Sequence, residues 1–303
     1  MKITINGTGL VQKASVDAIT SHAEIAQLHG FTGYWLAEHP TGGFDALTVL
    51  AAVGMKLENL ELGTAIVPTM LRHPVVLAGQ ALTTNNLLGG RLTLGIGLSH
   101  APMMASLGIG FDKPIRHLRE FLSILMPLLR TGEVDFSGES LSAQAKFFRA
   151  PGHATRVLVA ALGPQALKVT GRLADGTILA WVGPKTIGEH IAPTINEAAE
   201  AAGNPKPSIV ASLPVCVTDK EADVRAVIDK GLSMYGQLPS YRAMFDREGA
   251  AGPGEVAIVG SREKVVDGIA AMREAGVTEF APTEFFTAPE EAEATRSLLR
   301  ALV

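Results

Sequence analysis

Only one cysteine, Cys216, occurs in the 303 residues. That excludes an internal disulfide framework and any metal site built from several thiolates. Basic blocks are missing as well, because 26 Lys and Arg stand against 30 Asp and Glu for a formal net charge of −4. Nucleic acid is therefore not an expected partner. No uninterrupted apolar run approaches the roughly 18 residues that would suggest a membrane span. The opening MKITING carries neither a basic stretch nor an apolar one. No signal peptide is expected, and the single thiol suits the reducing cytoplasm. Low-complexity tracts are absent too. What is present in quantity is apolar: hydrophobic residues make up 47% and charged residues 18%, a balance that suits a large core and argues against disorder.

Short apolar runs alternate with segments of helical period, each pair taking about the 30 residues of a βα unit. Strands are expected over Lys2–Asn6, Tyr34–Glu38, Leu60–Val67, Arg91–Leu98, Val157–Leu162, Gly176–Trp181, Ile209–Val217 and Glu279–Phe285. Between and after them, helices are expected over Val16–His29, Phe44–Met55, from Pro74 onward, Leu118–Leu129, Gly163–Leu173, Lys185–Ala202, Lys220–Met234 and Pro289–Ala301. Eight units in this order predict a (β/α)8 TIM barrel, an α/β fold, as one domain over residues 1–303. Three stretches break the rhythm. Ser99–Pro114 is long for a βα loop. Thr131–Arg156 suggests a hairpin from Val134–Phe136 to Phe147-Phe148. Gln237–Gly254 reads as a mobile excursion, so insertions are expected after strands four and seven.

In a barrel the chemistry lies at the C-terminal ends of the strands. Those ends carry Asn6-Gly7, Glu38-His39-Pro40, Val67-Pro68-Thr69, Leu98-Ser99-His100, Leu162-Gly163-Pro164, Trp181 and Glu284-Phe285-Phe286. This apolar ring with a few polar groups suits a small-molecule pocket. His39 can relay a proton or stabilise charge near neutral pH, or it can be a loop histidine capping a helix. His100 has the same two readings, and His73 suits a local hydrogen bond. Glu38, His39, His100 and Glu284 could converge on a metal. However, no HxH pair ends strand one and no HExxH spacing occurs, so none is expected. A GxSxG elbow is missing and Cys216 lies inside a strand, which leaves nucleophilic hydrolysis unsupported. Gly95-Ile96-Gly97 fails the dinucleotide fingerprint. It marks either a flat ring lying close to the backbone or simple barrel packing. Leu162-Gly163 leads straight into a helix whose amides could hold an anion. Arg116, His117 and Arg119 would add positive charge there, or would line a solvated helix face.

Four segments together carry a resemblance: GTAIVP at Gly63–Pro68, RHPVVLA at Arg72–Ala78, GGRLTLGIG at Gly89–Gly97 and LADG at Leu173–Gly176. In this order they resemble the bacterial luciferase-like (β/α)8 flavin and deazaflavin oxidoreductases, over essentially the whole chain. With Glu38-His39 at the end of strand two, the sequence looks closest to the coenzyme F420-dependent branch. The resemblance implies a non-proline cis peptide at Ala65-Ile66, beside Val67, supporting a tricyclic ring. It places His39 near the ring's reactive carbon and His100 where some deazaflavin members carry a glutamate. Leu162 and Gly163 match a backbone contact to the cofactor's phosphate, Arg116 a basic position near it, and Glu38 and Gly97 complete the cofactor set.

Hydride transfer between F420 and a small, hydrophobic organic substrate follows, with Met103, Met104, Phe111, Trp181, Phe285 and Phe286 as the expected lining. An FMN-dependent monooxygenase and a non-enzymatic barrel are the alternatives. A homodimer is expected from the mean hydropathy of +0.24 and from Val49, Leu50, Val76 and Leu77, read as outward-facing.

Overall fold

Lys2–Ile3 pairs with Glu279–Phe280, and Ile5–Asn6 pairs with Tyr34–Trp35, so the first strand joins the last strand to the second and closes a ring. The structure, a computed structural model, describes residues 1–13 and 15–303. Going round the ring, the strands are Lys2–Asn6 in two pieces, Gly33–Leu36, Glu61–Thr64 with Val67–Pro68, Leu92–Gly97, Arg156–Val159, Gly176–Ala180, Ser208–Ser212 and Glu279–Phe280. Every pairing in this sheet is parallel. Intervening helices pack outside it, as right-handed βαβ crossovers require. The expected barrel is therefore the observed one.

Side chains alternate across the sheet. Trp35, Leu158, Ile178, Val210 and Ala281 fill the inside, while Tyr34, Leu36, Leu94 and Phe280 face the helices in the larger core. A buried carboxylate sits inside too. Glu279, 5% exposed, accepts from Trp35 Nε1 at 2.7 Å and Thr4 Oγ1 at 3.0 Å, with Arg156 Nη2 at 3.5 Å. Its charge is thereby satisfied, as a buried carboxylate must be. The third strand breaks where the resemblance placed it, with the Ala65-Ile66 peptide in the cis form. Beside that break, Thr64 Oγ1 bonds both the amide and the carbonyl of Gly95, at 2.8 and 2.7 Å.

Several elements differ from the sequence reading. A further strand, Ile258–Gly260, pairs parallel with Pro214–Val217, the upper half of strand seven. Arg225 holds it by donating to the carbonyls of Ala257 and Val259 at 2.9 and 3.0 Å. Gln237–Gly254, expected as a mobile excursion, contains the helix Pro239–Glu248 and the start of the helix Pro253–Val256. Pro239 and Pro253 open these helices, and Gly249, at φ 81°, closes the first. The Pro and Gly that suggested a loop are helix punctuation.

The hairpin after the fourth helix runs Glu133–Ser137 against Ser142–Lys146, so its return strand ends before Phe147-Phe148. Glu120, 1% exposed, grips the turn by accepting the amides of Glu139, Ser140 and Leu141 at 3.1, 2.8 and 2.8 Å. Burial alone would raise the Glu120 pKa, but these three amides bring it below the usual carboxylate value. The apolar residues read as outward-facing are mostly not so. Val49, Leu50 and Leu77 are buried, and only Val76 is exposed. The helix Ala46–Gly54 is apolar nearly all round, so periodicity could not show which face it buries.

Candidate active site

Glu38 ends strand two but does not face the mouth. Arg72 Nη1 donates to its Oε1 at 2.5 Å and Nη2 to its Oε2 at 3.1 Å, while the Ala46 amide donates to Oε2 at 3.0 Å. Arg72 also bonds Asp45 at 2.5 Å, and Asp45 caps the second helix through the Thr48 amide at 2.7 Å. Burial opposes the charge on Asp45, yet the Thr48 amide and the Arg72 guanidinium hold its pKa below the usual value. Such a bidentate pair is geometrically specific. It bolts strand two to the second helix and to the loop after strand three. Glu38, expected among cofactor contacts, has its acceptors occupied by this structural pair.

His39 lies on the exposed turn that follows. Its Nδ1 faces the Thr41 amide at 3.3 Å and the Thr41 hydroxyl at 3.1 Å. An amide can only donate, so Nδ1 is the acceptor and the neutral ring carries its proton on Nε2. Glu38 therefore offers His39 no relay, because the two neighbours point to different partners.

His100 starts the short helix Ala101–Ser106 but makes no capping bond with its side chain. Its ring packs on two tyrosines, Tyr241 at 5.6 Å and Tyr235 at 6.3 Å between centroids. Trp181 at the end of strand six packs on Tyr235 at 5.5 Å, and the tyrosines meet edge-on at 5.2 Å. Burial pushes the His100 pKa down and those of both tyrosines up. Tyr235 and Tyr241 are absent from the sequence-based candidates. Tyr241 arrives on Pro239–Glu248, inside the stretch read as a mobile excursion, and Tyr235 on Ser233–Gln237, just past the expected helix Lys220–Met234. The available signal was that two of the chain's three tyrosines, Tyr235 and Tyr241, lie close together after strand seven.

The floor of the mouth lies across strands three to five. Ala65, Ile66 and Ala160, each half-buried, close the top of the inner apolar cluster. Val67 is fully buried and turns into the outer core, so its side chain is not part of this floor. A Cβ at Gly95 would meet the Thr64 carbonyl oxygen at 1.9 Å, and one at Gly97 would meet Ile66 and Ala160 at 3.0–3.1 Å. Packing between strands accounts for both glycines. Three residues beyond Ala160, Gly163 begins the helix Pro164–Leu173 with no side-chain cap and nothing within 4 Å of a would-be Cβ. The first-turn amides there are left free, an arrangement that suits an anion. Leu162 contributes its carbonyl to His190 Nε2 at 2.8 Å. Arg116 is tied to Glu139 at the hairpin turn. His117 bonds Thr69 Oγ1 at 3.2 Å.

The remaining expected lining divides. Trp181, at φ 60°, and Met103 are half-buried near His100, and Phe111 is half-buried in the following loop. Met104 is fully buried. Phe285 packs with Cys216, Val224 and Val259 under the extra strand, outside the ring, and Phe286 is 53% exposed. Glu284 also turns outward. Arg296 Nε donates to it at 2.5 Å, His22 Nε2 lies 3.4 Å away, and His22 Nδ1 reaches the buried Tyr34 hydroxyl at 3.0 Å. Among the described residues, no group of three or more His, Cys, Asp or Glu side chains could hold a metal ion.

A closed parallel barrel, with an apolar floor and an open helix start on one side of its mouth, is the class of structure these residues build. The chain belongs to the luciferase-like monooxygenase family, whose pattern it matches over residues 3–279. It is similar to the 5,10-methylenetetrahydromethanopterin reductase of Methanolobus tindarius, with 23% identity over 216 residues, covering 71% of this chain and 66% of that protein. Its share of other curated relatives' length falls as low as 49%. Among solved structures, an F420-dependent secondary alcohol dehydrogenase in complex with an F420-acetone adduct superposes with a TM-score of 0.81 at 16% identity, covering 100% and 98% of the two chains. The FMN-bound oxygenating constituent of 3,6-diketocamphane monooxygenase from Pseudomonas putida superposes at 0.78 and 16%, covering 99% and 97%. Among the described residues, no helix is long and apolar enough to cross a membrane.

Proposed function

We propose that the chain is an oxidoreductase that transfers a hydride between coenzyme F420 and a small hydrophobic organic substrate. The observation that carries this reading is the adjacency of the Ala65–Ile66–Ala160 floor and the uncapped helix start at Gly163. The floor offers a flat ring an apolar seat, and the helix start offers an anion free amides. Relatives named for F420, F420-dependent glucose-6-phosphate dehydrogenases among them, support the choice of ring. When bound, the cofactor supplies the hydride chemistry, and the protein supplies binding, orientation and electrostatics.

Within that division of labour, Ala65 and Ile66 seat the ring face, and the amides of Gly163, Gln165 and Ala166 orient a phosphate. His39, with Nδ1 occupied by Thr41, moves or stabilises the matching proton at Nε2. The helices of the strand-seven insertion exclude water from the side of His100.

Fluorescence titration of the purified protein with F420 and, separately, with FMN tests the reading. Saturable F420 binding with weak FMN binding is expected. The reverse preference would make the chain an FMN-dependent monooxygenase, and binding of neither would make it a non-enzymatic barrel. We also propose that it pairs as a homodimer through exposed apolar residues of its early helices, Leu28, Met55 and Val76, which are 81%, 64% and 58% exposed. A monomer by light scattering at micromolar concentration would refute the pairing.

A further inference from the structure

We propose that the rings of His100, Trp181, Tyr235 and Tyr241 form the substrate wall of the mouth, and that this wall takes a flat, uncharged compound bearing a carbonyl or hydroxyl group. The inference rests on the oxidoreductase reading above and narrows the substrate for the same site.

Three segments far apart in the chain bring the rings together: the end of strand four, the end of strand six and the helices Ser233–Gln237 and Pro239–Glu248. Interplanar angles of 83°, 56°, 48° and 86° present edges and faces alternately. That is the preferred geometry for receiving a further ring. All four residues are half-buried, whereas core aromatics such as Phe121, Phe245 and Phe280 are fully buried. The wall is therefore reachable and is not merely core.

The Tyr235 hydroxyl is committed to Trp181, whereas the polar atoms of His100 and Tyr241 are uncommitted and face no charge. Among the described residues, no hydrogen bond or charged group acts on His100, and none but the neighbouring Tyr235 acts on Tyr241. Burial disfavours the charged form of His100, and the neutral ring offers one N–H donor and one acceptor. Tyr241 adds a hydroxyl. The cation nearest in sequence, Arg242, is spent on the carbonyls of Ala250 and Ala251 at 2.6 Å and on Asp246 at 2.8 Å. A carboxylate or phosphate placed against these rings would lose its hydration with no cation to replace it. A neutral carbonyl would instead find two donors and lose little.

Calorimetric titration of the full-length protein, with and without F420, tests this with coumarin, coumarin-3-carboxylate and glucose 6-phosphate as probes. Coumarin should bind at least about tenfold more tightly than its carboxylate, and glucose 6-phosphate should not compete with it. Tyr241→Phe keeps the ring and removes only the hydroxyl, so it should weaken coumarin by about fivefold, and His100→Ala by at least as much. Both variants should bind F420 as the wild type does. Tighter binding of either anion, no binding of coumarin, or coumarin affinity unchanged in both variants would overturn the wall. Should coumarin follow the expected pattern while F420 fails to bind, the wall stands and the cofactor reading falls.

Discussion

Glu38 and Glu284 end strands two and eight, yet each is consumed by an arginine, Arg72 or Arg296, and faces the helix layer. His100 ends strand four half-buried and has no polar partner among the described residues. Both kinds of residue occupy the place where a barrel does chemistry. The difference shows that position at a strand end does not make a functional group. An unspent hydrogen-bonding capacity does, because burying a polar group without a partner costs stability that only a ligand returns. The strand-two and strand-eight side of the ring is fastened by ion pairs. The side over strands three to six is apolar, aromatic and open.

Breaking a fastener should have the largest effect. Arg72→Ala leaves Glu38, whose side chain is 6% exposed, buried without its partner, so urea denaturation should report a loss of about 3–5 kcal/mol. A loss below about 1 kcal/mol would return Glu38 to the list of residues free to act. The next largest effect falls on rate. His39→Ala should slow single-turnover hydride transfer by about 10²–10⁴-fold, whereas His100→Ala should mainly raise KM. A wild-type rate for His39→Ala with a failed His100→Ala would exchange their roles.

Gly163→Asp sets a carboxylate against the open helix start and should weaken cofactor binding by about tenfold. Nothing lies within 4 Å of the new Cβ, and Asp is a better N-cap than Gly. The apoprotein Tm should therefore hold or rise slightly. Unaltered affinity would place the anion elsewhere.

The smallest effect is on acid stability. Asp45 and Glu284 are opposed by burial but held below their usual pKa values, Asp45 by the Thr48 amide and Arg72, Glu284 chiefly by Arg296. Carboxylates lowered in the folded state stabilise it above their unfolded pKa of roughly 4, and that stability is lost as pH falls through the folded values. Tm should thus change little on this account between pH 8 and 6 and fall below about pH 4. Arg72→Ala should flatten the acid limb, and an unchanged limb would mean these pairs do not set it.

The barrel was legible because its strands are continuous apolar runs, as strands buried on both faces must be. Ile258–Gly260 escaped because three residues carry no periodicity. The pairing of Glu38 with Arg72 was hidden for another reason: the partners are 34 residues apart, and no local pattern encodes a contact between a strand end and a later loop. The cis peptide at Ala65-Ile66 came from family likeness alone. Tyr241 was lost with Gln237–Gly254, because Pro239 and Gly249 punctuate a helix and a loop alike, and Tyr235 fell between that stretch and the expected helix ending at Met234. Of the expected lining, Phe285 failed through register. Strand eight breaks after Phe280 and resumes at Thr283, and no simple alternation predicts which way Phe285 then points.

The split first strand bears on synthesis. Lys2–Ile3 finds its sheet partner in Glu279–Phe280, so until that segment leaves the ribosome one edge of the nascent sheet exposes unpaired amides and carbonyls. At about 5–20 residues per second this interval lasts on the order of tens of seconds. An open parallel edge is a template for pairing with another chain. Aggregation during expression should therefore respond to chaperone supply in that window far more than to the stability of the finished ring, and chains truncated before residue 279 should be captured by holdases while full-length chains are released.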